Sequence, residues 1–318
     1  MSGASEGRGP DVAAGVEGRE LDRAAGVEGR VLVTGAAGML GSELLLRAPR
    51  GYVGVGTDLI EGPSVAAPGV DLSDAAAVAK LFDTHGPFVG AIHCAAYTAV
   101  DKAEEQRELA AKVNVEASRV LARICRERGA HLVAVSTDFV FDGEKRTPYS
   151  EGDTPNPLSV YGRTKLDGER ATLEACPGAA IVRTQWLYGP RGKHFPRTIA
   201  GYARSTGKLK VVDDQWGAPT TTLELAPALW DVLVARASGV FHAACEGSCS
   251  WHGFTAEILA QCGLASVELT PCGTDAFPRP ARRPAYSVLD SSKLAALRGR
   301  RLADWRTALK HYLAVEPL

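Results

Sequence analysis

From Arg30 onward, short apolar runs rich in β-branched residues alternate with stretches whose apolar positions recur at helical spacing. "RVLVTG" predicts a strand, followed by a helix from Met39. "YVGVGTDL" predicts a second strand and "AAAVAKLF" a helix. "FVGAIHCAA" predicts a third strand, followed by one long helix around "RELAAKVNVEASRVLARICRERG". "AHLVAVSTD" is a further strand, then a Pro- and Gly-rich loop, then a helix carrying Tyr161 and Lys165. "AAIVRTQWLYG" reads as one more strand. This alternation predicts an α/β fold, a doubly wound parallel sheet with helices on both faces. In such sheets ligands sit at the carboxyl ends of the strands. After Gly189 the pattern loosens into short strands, helices and Pro-rich loops. That half is expected to form a smaller, partly interleaved C-terminal substrate lobe. The division expected is a disordered tail over 1–29, a dinucleotide-binding domain over 30–188 to which later segments return, and mainly the substrate lobe over 189–318.

Composition narrows the class only a little. The 318 residues are 45% hydrophobic and 23% charged, with net charge -1, ordinary for a globular protein. Near-neutral charge argues against a nucleic-acid partner, and no apolar run reaches the roughly 18 residues of a membrane helix. Seven scattered cysteines in a long chain read as reduced thiols, and the location expected is cytoplasmic. One cluster, His242, Cys245, Cys249 and His252, has zinc-ligand chemistry. However, it spans a strand and a helix start rather than a tight knuckle, so no metal site is expected there. The Gly- and Ala-rich start holds a near-duplication, "AAGVEGREL" and "AAGVEGRVL", and lacks the basic-then-apolar pattern of a signal peptide.

The candidate chemistry collects at the predicted strand ends. "VTGAAGMLGSELL" places Gly35, Gly38 and Gly41 between the first strand and its helix. Glycines there let a pyrophosphate approach the backbone at a helix N-terminus, a Rossmann-like arrangement, although tight βα turns use glycine anyway. Asp58 ends the second strand, where a carboxylate can accept hydrogen bonds from a ribose or remain a solvated loop acid. Asp71 and Leu72 follow a short strand. They are placed to contact adenine, or else Asp71 sits in a turn with Ser73 capping the next helix. Ala95 and Ala96 are small residues at a strand end, across which a flat cofactor fits, and Thr98 follows them. Thr137 and Asp138 end another strand, and Tyr161 and Lys165 lie four apart on the next helix. Convergence at one sheet edge would let Thr137 polarise a carbonyl and Tyr161 deliver a proton. Lys165 would favour the phenolate by its charge and hold a nicotinamide ribose.

These residues resemble the extended short-chain dehydrogenase/reductase family and, within it, the dTDP-4-dehydrorhamnose reductase family. The resemblance runs from about Arg30 to the C-terminus through "TGAAGMLGSEL", "AAYTAVDKAE", "STDFVFDG", "PYSEGDTPNPLSVYGRTKLDGE", "IVRTQWLYG", "VVDDQWGAPT" and "RPAYSVLD". It implies an oxidoreductase that reduces the C4 ketone of a dTDP-sugar, dTDP-4-dehydro-6-deoxy-L-mannose, with NADPH or NADH. It makes Thr137, Tyr161 and Lys165 the catalytic trio and adds Met39 and Leu40 to the cofactor contacts. Thr137, Asp138 and Trp186 would meet the sugar. It also brings a homodimer and a magnesium ion (Mg2+) into consideration, with Glu43 at one acidic ligand position.

Two departures stand out: Phe139 where the family often has tyrosine, and His194 where asparagine is common. Lys193, Arg197, Arg279, Arg282 and Arg283 are candidate phosphate partners, since guanidinium forks suit phosphate oxygens. Two other readings stay open. One is a reductase or epimerase of another nucleotide sugar. The other is a non-catalytic binding protein resembling the regulatory subunit of methionine adenosyltransferase.

Overall fold

The computed structural model describes residues 29–318. The tail expected over 1–29 therefore lies almost wholly outside the described residues. Seven strands form the main sheet: β1 (Gly29–Thr34), β2 (Tyr52–Asp58), β3 (Ala67–Pro68), β4 (Phe88–His93), β5 (His131–Thr137), β6 (Ala180–Thr184) and β7 (Gly239–His242). Their order is β7-β6-β5-β4-β1-β2-β3, and every neighbouring pair is parallel. The chain runs outward from β1 to β3, then restarts at β4 on the other side of β1. That reversal opens a crevice at the strand ends.

Both faces are buried, and β1 shows how its sequence serves both. Leu32 joins one core with Val55, Phe82 and Leu121, while Val31 and Val33 join the other with Leu44, Leu229 and Trp230. Successive side chains of a strand point to opposite faces, so an unbroken apolar run is what a sheet covered twice requires. The helices start where short polar side chains satisfy free N–H groups. Asp74 accepts from Ala76 and Ala77 ahead of Ala75–His85, and Ser159 accepts from Gly162 ahead of Val160–Ala175.

The long helix predicted after β4 is present and continuous from Arg107 to Glu127, with a π-helical turn over Lys112–Glu116 inside it, whereas two other expectations change. Within that turn the Asn114 amide donates to the Tyr97 carbonyl and to Thr164 Oγ1 at 3.0 Å, bonds that fix its place against the Tyr161 helix. The strand predicted as "AAIVRTQWLYG" leaves the sheet after Thr184. Trp186 takes a left-handed φ of 46°, and Leu187–Tyr188 pairs instead with Thr220–Thr221. Ser73 is not the cap of the next helix, because Asp74 takes that position.

The C-terminal half contributes to both parts of the fold. The helix Thr222–Val234 buries Leu225, Leu229 and Trp230 against the main sheet, with the Trp230 indole donating to the Leu44 carbonyl at 3.0 Å. Strand β7 completes the sheet edge beside β6. Two small ladders, Lys208–Val212 with Glu268–Cys272 and Trp216–Gly217 with Cys249–Ser250, stand apart from the main sheet.

Candidate active site

The turn after β1 is shaped by what its glycines lack. Gly35 holds φ at +67°, which favours glycine. A Cβ at Gly41 would sit 2.2 Å from the Gly35 carbonyl oxygen, so the helix Met39–Leu46 approaches the turn as only glycine allows. The Asp58 carboxylate at the end of β2 accepts from the Ala37 N–H at 3.0 Å, tying the second strand to the turn. A cavity of about 700 Å³ opens above these strand ends. Its lining holds all sixteen residues expected from sequence: Gly35, Gly38, Met39, Leu40, Gly41, Asp58, Asp71, Leu72, Ala95, Ala96, Thr98, Thr137, Asp138, Tyr161, Lys165 and Trp186. Asp71 sits in a turn, accepting from the Ser73 N–H and hydroxyl, and pairs with Lys112 at 2.9 Å. The Ser73 and Lys112 bonds hold its carboxyl at about 2.

Thr137, at the end of β5, donates its hydroxyl to Asp138 Oδ1 at 3.0 Å and accepts from the Phe139 N–H at 3.2 Å. Burial raises the Asp138 carboxyl to about 6, against the opposing pull of Ser287 and Thr137. Tyr161 lies in the first turn of its helix, whose start is set by Ser159 and by Glu104, which accepts from the Val160 N–H at 2.9 Å. A Cβ at Gly162 would meet the Phe139 carbonyl at 2.2 Å, so the helix start rests directly on the segment after β5. The rings of Phe139 and Tyr161 meet edge-on at 5.4 Å.

The expected lowering of the Tyr161 phenol by Lys165 is not what this geometry gives. Burial pushes Tyr161 up to about 12, and the opposing contact is the hydrogen bond with Thr137. Lys165 Nζ donates to the Val135 carbonyl at 2.8 Å. Burial brings the Lys165 ammonium down to about 8, with Glu169 pulling the other way.

A second cavity, of about 1050 Å³, adjoins the first and shares Asp138, Phe139, Trp186 and Trp251 with it. Trp186 and Trp251 stack at 3.6 Å with their planes 7° apart. A Cβ at Gly217 would lie 2.5 Å from the Trp186 indole, so the ring lies flush against the backbone there. Arg279, Arg282 and Arg283 line this second cavity, whereas Lys193 lines the first. Arg197 borders neither cavity and pairs with Glu316.

Sequence reasoning missed Trp251 and Gln185. Gln185 lines the first cavity at 2% exposure, with no hydrogen-bond partner for its amide in the protein. Its neighbour Trp186 offered the signal, since a residue that leaves a strand end beside an expected ligand contact faces the same crevice. Trp251 had none, because its contact with Trp186 bridges distant parts of the chain.

Several other candidates have structural tasks. Glu43, the magnesium candidate, is 3% exposed and bound by Arg47 and by Arg191 at 3.0 Å. His194 caps the helix Phe195–Thr206, with Nδ1 accepting from Arg197 and Nε2 facing the Tyr312 hydroxyl at 3.1 Å. Burial lowers it to about 4, so the neutral ring serves as an asparagine amide would. Among the described residues, no three His, Cys, Asp or Glu side chains are grouped to hold a metal, and His242 instead meets the Tyr149 carbonyl. All seven cysteines are free thiols. Among the described residues no helix is long and apolar enough to cross a membrane.

The model of the RmlD substrate binding domain family matches residues 29–316. A Streptomyces antibioticus protein named a probable dTDP-4,6-dihydroxy-2-methyloxan-3-one 4-ketoreductase is 41% identical, over 88% of this chain and 92% of its own. The dTDP-4-dehydrorhamnose reductase of Mycobacterium tuberculosis H37Rv is also 41% identical, over 89% of this chain and 92% of its own. The crystal structure of dTDP-4-dehydrorhamnose reductase from Bacillus anthracis in complex with NADP superposes with a TM-score of 0.84 at 32% identity. That match covers 91% of this chain and 100% of the other.

Proposed function

This chain belongs to the RmlD substrate binding domain family, and from that premise we propose that it reduces the C4 ketone of dTDP-4-dehydro-6-deoxy-L-mannose to give dTDP-L-rhamnose. The observation that carries the reading is one crevice in which a glycine turn, a strand-end hydroxyl and a Tyr/Lys helix face meet beside a second, arginine-lined cavity. A dinucleotide fits the first cavity on the structure's own terms. Gly35 and Gly41 leave the backbone open to a pyrophosphate at the start of Met39–Leu46, and Asp58, at the end of β2 and tied to the same turn, would accept from a ribose hydroxyl. NAD(P)H, when bound, supplies the hydride.

The chain's own residues handle the rest. Tyr161, held protonated at about 12, is the acid that delivers a proton to the ketone oxygen. The Thr137 hydroxyl, which donates to Asp138 in the free protein, turns its single proton to that oxygen when the ketone binds. Lys165, anchored to Val135, places a cation one helical turn from the phenol and offsets the negative charge left when the proton departs. The stacked Trp186 and Trp251 rings give the two cavities a shared apolar side where they meet. Arg279 and Arg282 face the cavity that would take the nucleotide diphosphate.

The test is purified protein with dTDP-4-dehydro-L-rhamnose, following the absorbance of NADPH and then of NADH, with Tyr161→Phe in parallel. Sugar-dependent oxidation that collapses in the variant is the result expected. Cofactor binding without turnover would sink the reading. A second reading has one specific support: the relative named for a different dTDP-linked ketone is as similar as the rhamnose-type one. Running both sugars side by side decides between them by the ratio of kcat/KM.

A further inference from the structure

The stretch "AAYTAVDKAE" contains more than its cofactor contacts require. Thr98 and Val100 line the first cavity, and the short helix Val100–Ala103 follows immediately. From that helix Asp101 reaches across to the Pro-rich segment 278–286. Its Oδ1 accepts from Arg283 Nη1 at 3.0 Å and from the Ala281 N–H at 3.3 Å, and its Oδ2 accepts from Arg283 Nη2 at 2.9 Å. Arg279 stands 3.9 Å from the same carboxylate. Arg283 folds back to donate to the Ala281 carbonyl at 2.7 Å, so the fork also fixes the loop's own bend. At its other end the same segment of chain bears Glu104, whose carboxylate accepts from the first N–H of the Tyr161 helix.

One carboxylate thus joins the wall of the first cavity to a loop whose Arg279, Arg282 and Arg283 line the second. A loop of this kind must be ordered before its guanidiniums can meet an anion. A latch that orders it beforehand removes that entropy from the binding step. The pair is a bidentate fork with both side chains less than a third exposed, 30% for Asp101 and 23% for Arg283. We propose that Asp101 is a positioning residue for the sugar nucleotide. Through Arg283 and Ala281 it holds the 278–286 loop in the conformation that presents Arg279 and Arg282 to the substrate's phosphates. The proposal rests on the reductase reading for the identity of the ligand, and on the latch geometry alone for the order of the loop.

Three variants test it: Asp101→Asn, Arg283→Lys, which keeps charge but loses the fork, and the exchanged pair Asp101→Arg with Arg283→Asp. In the two single variants KM for the sugar nucleotide should rise about tenfold, while kcat and KM for NADPH stay within about twofold. The exchanged pair should recover most of the loss, which a purely local packing defect would not. An unchanged sugar KM in folded variants, or an equal rise in KM for NADPH, overturns the proposal.

Two readouts do not need turnover. Backbone amides over 279–285 should exchange hydrogen faster in ligand-free Asp101→Asn than in the parent, and dTDP should bind the variant more weakly by calorimetry. Equal exchange or equal dTDP affinity overturns the latch. If the parent protein turns over neither sugar, the reductase reading fails, and these two measurements still decide the latch.

Discussion

A phenol raised to about 12 is fully protonated at neutral pH, so in the proposed reaction Tyr161 would act as an acid and need help only as its proton leaves. In that proposal the help would come from the charge on Lys165, which burial has brought down to about 8. Below that pH the lysine is charged and assists, and above it the charge is lost. The kcat/KM for the sugar should therefore fall on the alkaline side with a midpoint near 8, read from a profile between about pH 6 and about pH 10. Lys165→Arg, always charged, should be slower yet lack that limb. Tyr161→Phe should cost about 10²–10⁴ in kcat while leaving the dissociation constant of NADH unchanged. Asp58 carries a separate expectation. A carboxylate at the end of β2 disfavours the extra phosphate of NADPH, so Asp58→Ala should shift the NADPH-to-NADH ratio of kcat/KM toward NADPH by about tenfold. At this scale the sequence was most informative, because spacing of three or four residues along one strand end or helix face survives folding unchanged. The balance between burial and charge at Tyr161 was not legible, since burial depends on the whole crevice.

Between elements, the decisive contacts are close backbone approaches that only glycine permits. Gly168, in the middle of the Tyr161 helix, would put a Cβ 2.2 Å from the Asn114 carbonyl. By propensity alone Gly168→Ala should strengthen a helix by about 1 kcal/mol. Here it should do the reverse. The methyl would wedge the Tyr161 helix off the π-helical turn, costing about 1–3 kcal/mol in urea unfolding and shifting Tyr161 enough to lower kcat. A variant more stable than the parent would show that the two helices separate freely. The strand–helix alternation was readable because apolar period and caps are local. The break at Gln185 and Trp186 was not, because nothing in "RTQWLY" signals a left-handed Trp186. That backbone is held by contacts with Trp251 and Gly217, which come from remote segments.

Across the whole molecule, β5, β6, β7 and the Tyr161 helix are joined by one buried polar chain. Arg183 on β6 and Glu169 on the Tyr161 helix are 4% and 5% exposed and form two bonds, at 2.9 and 2.7 Å. Ser136 on β5 donates to the same carboxylate at 2.5 Å. Arg183 Nη1 lies 3.5 Å from His242 Nε2 on β7, and His242 Nδ1 faces the Tyr149 carbonyl at 3.0 Å. Burial lowers His242 to about 3, so the ring is neutral and can accept from the arginine. That β7 joins the main sheet could not be read from its own residues, although "GVFH" was readable as a strand. Its place beside β6 depends on a return of the chain after more than fifty residues. The polar chain explains how the edge strand is kept in register with the helix that carries Tyr161. Removing one member leaves a buried charge without its partner, which costs far more than the pair contributes. Glu169→Gln should destabilise the protein by about 3–5 kcal/mol, whereas replacing both members, Glu169→Leu with Arg183→Met, should cost less than the single change. Because the pair is shielded, the loss should persist in high salt, unlike that of an exposed pair such as Arg119 with Glu116. Urea unfolding of parent, single and double variants at two salt concentrations measures this. A single variant no less stable than the double would mean that the arginine reaches solvent, and the chain would then be a set of separate contacts.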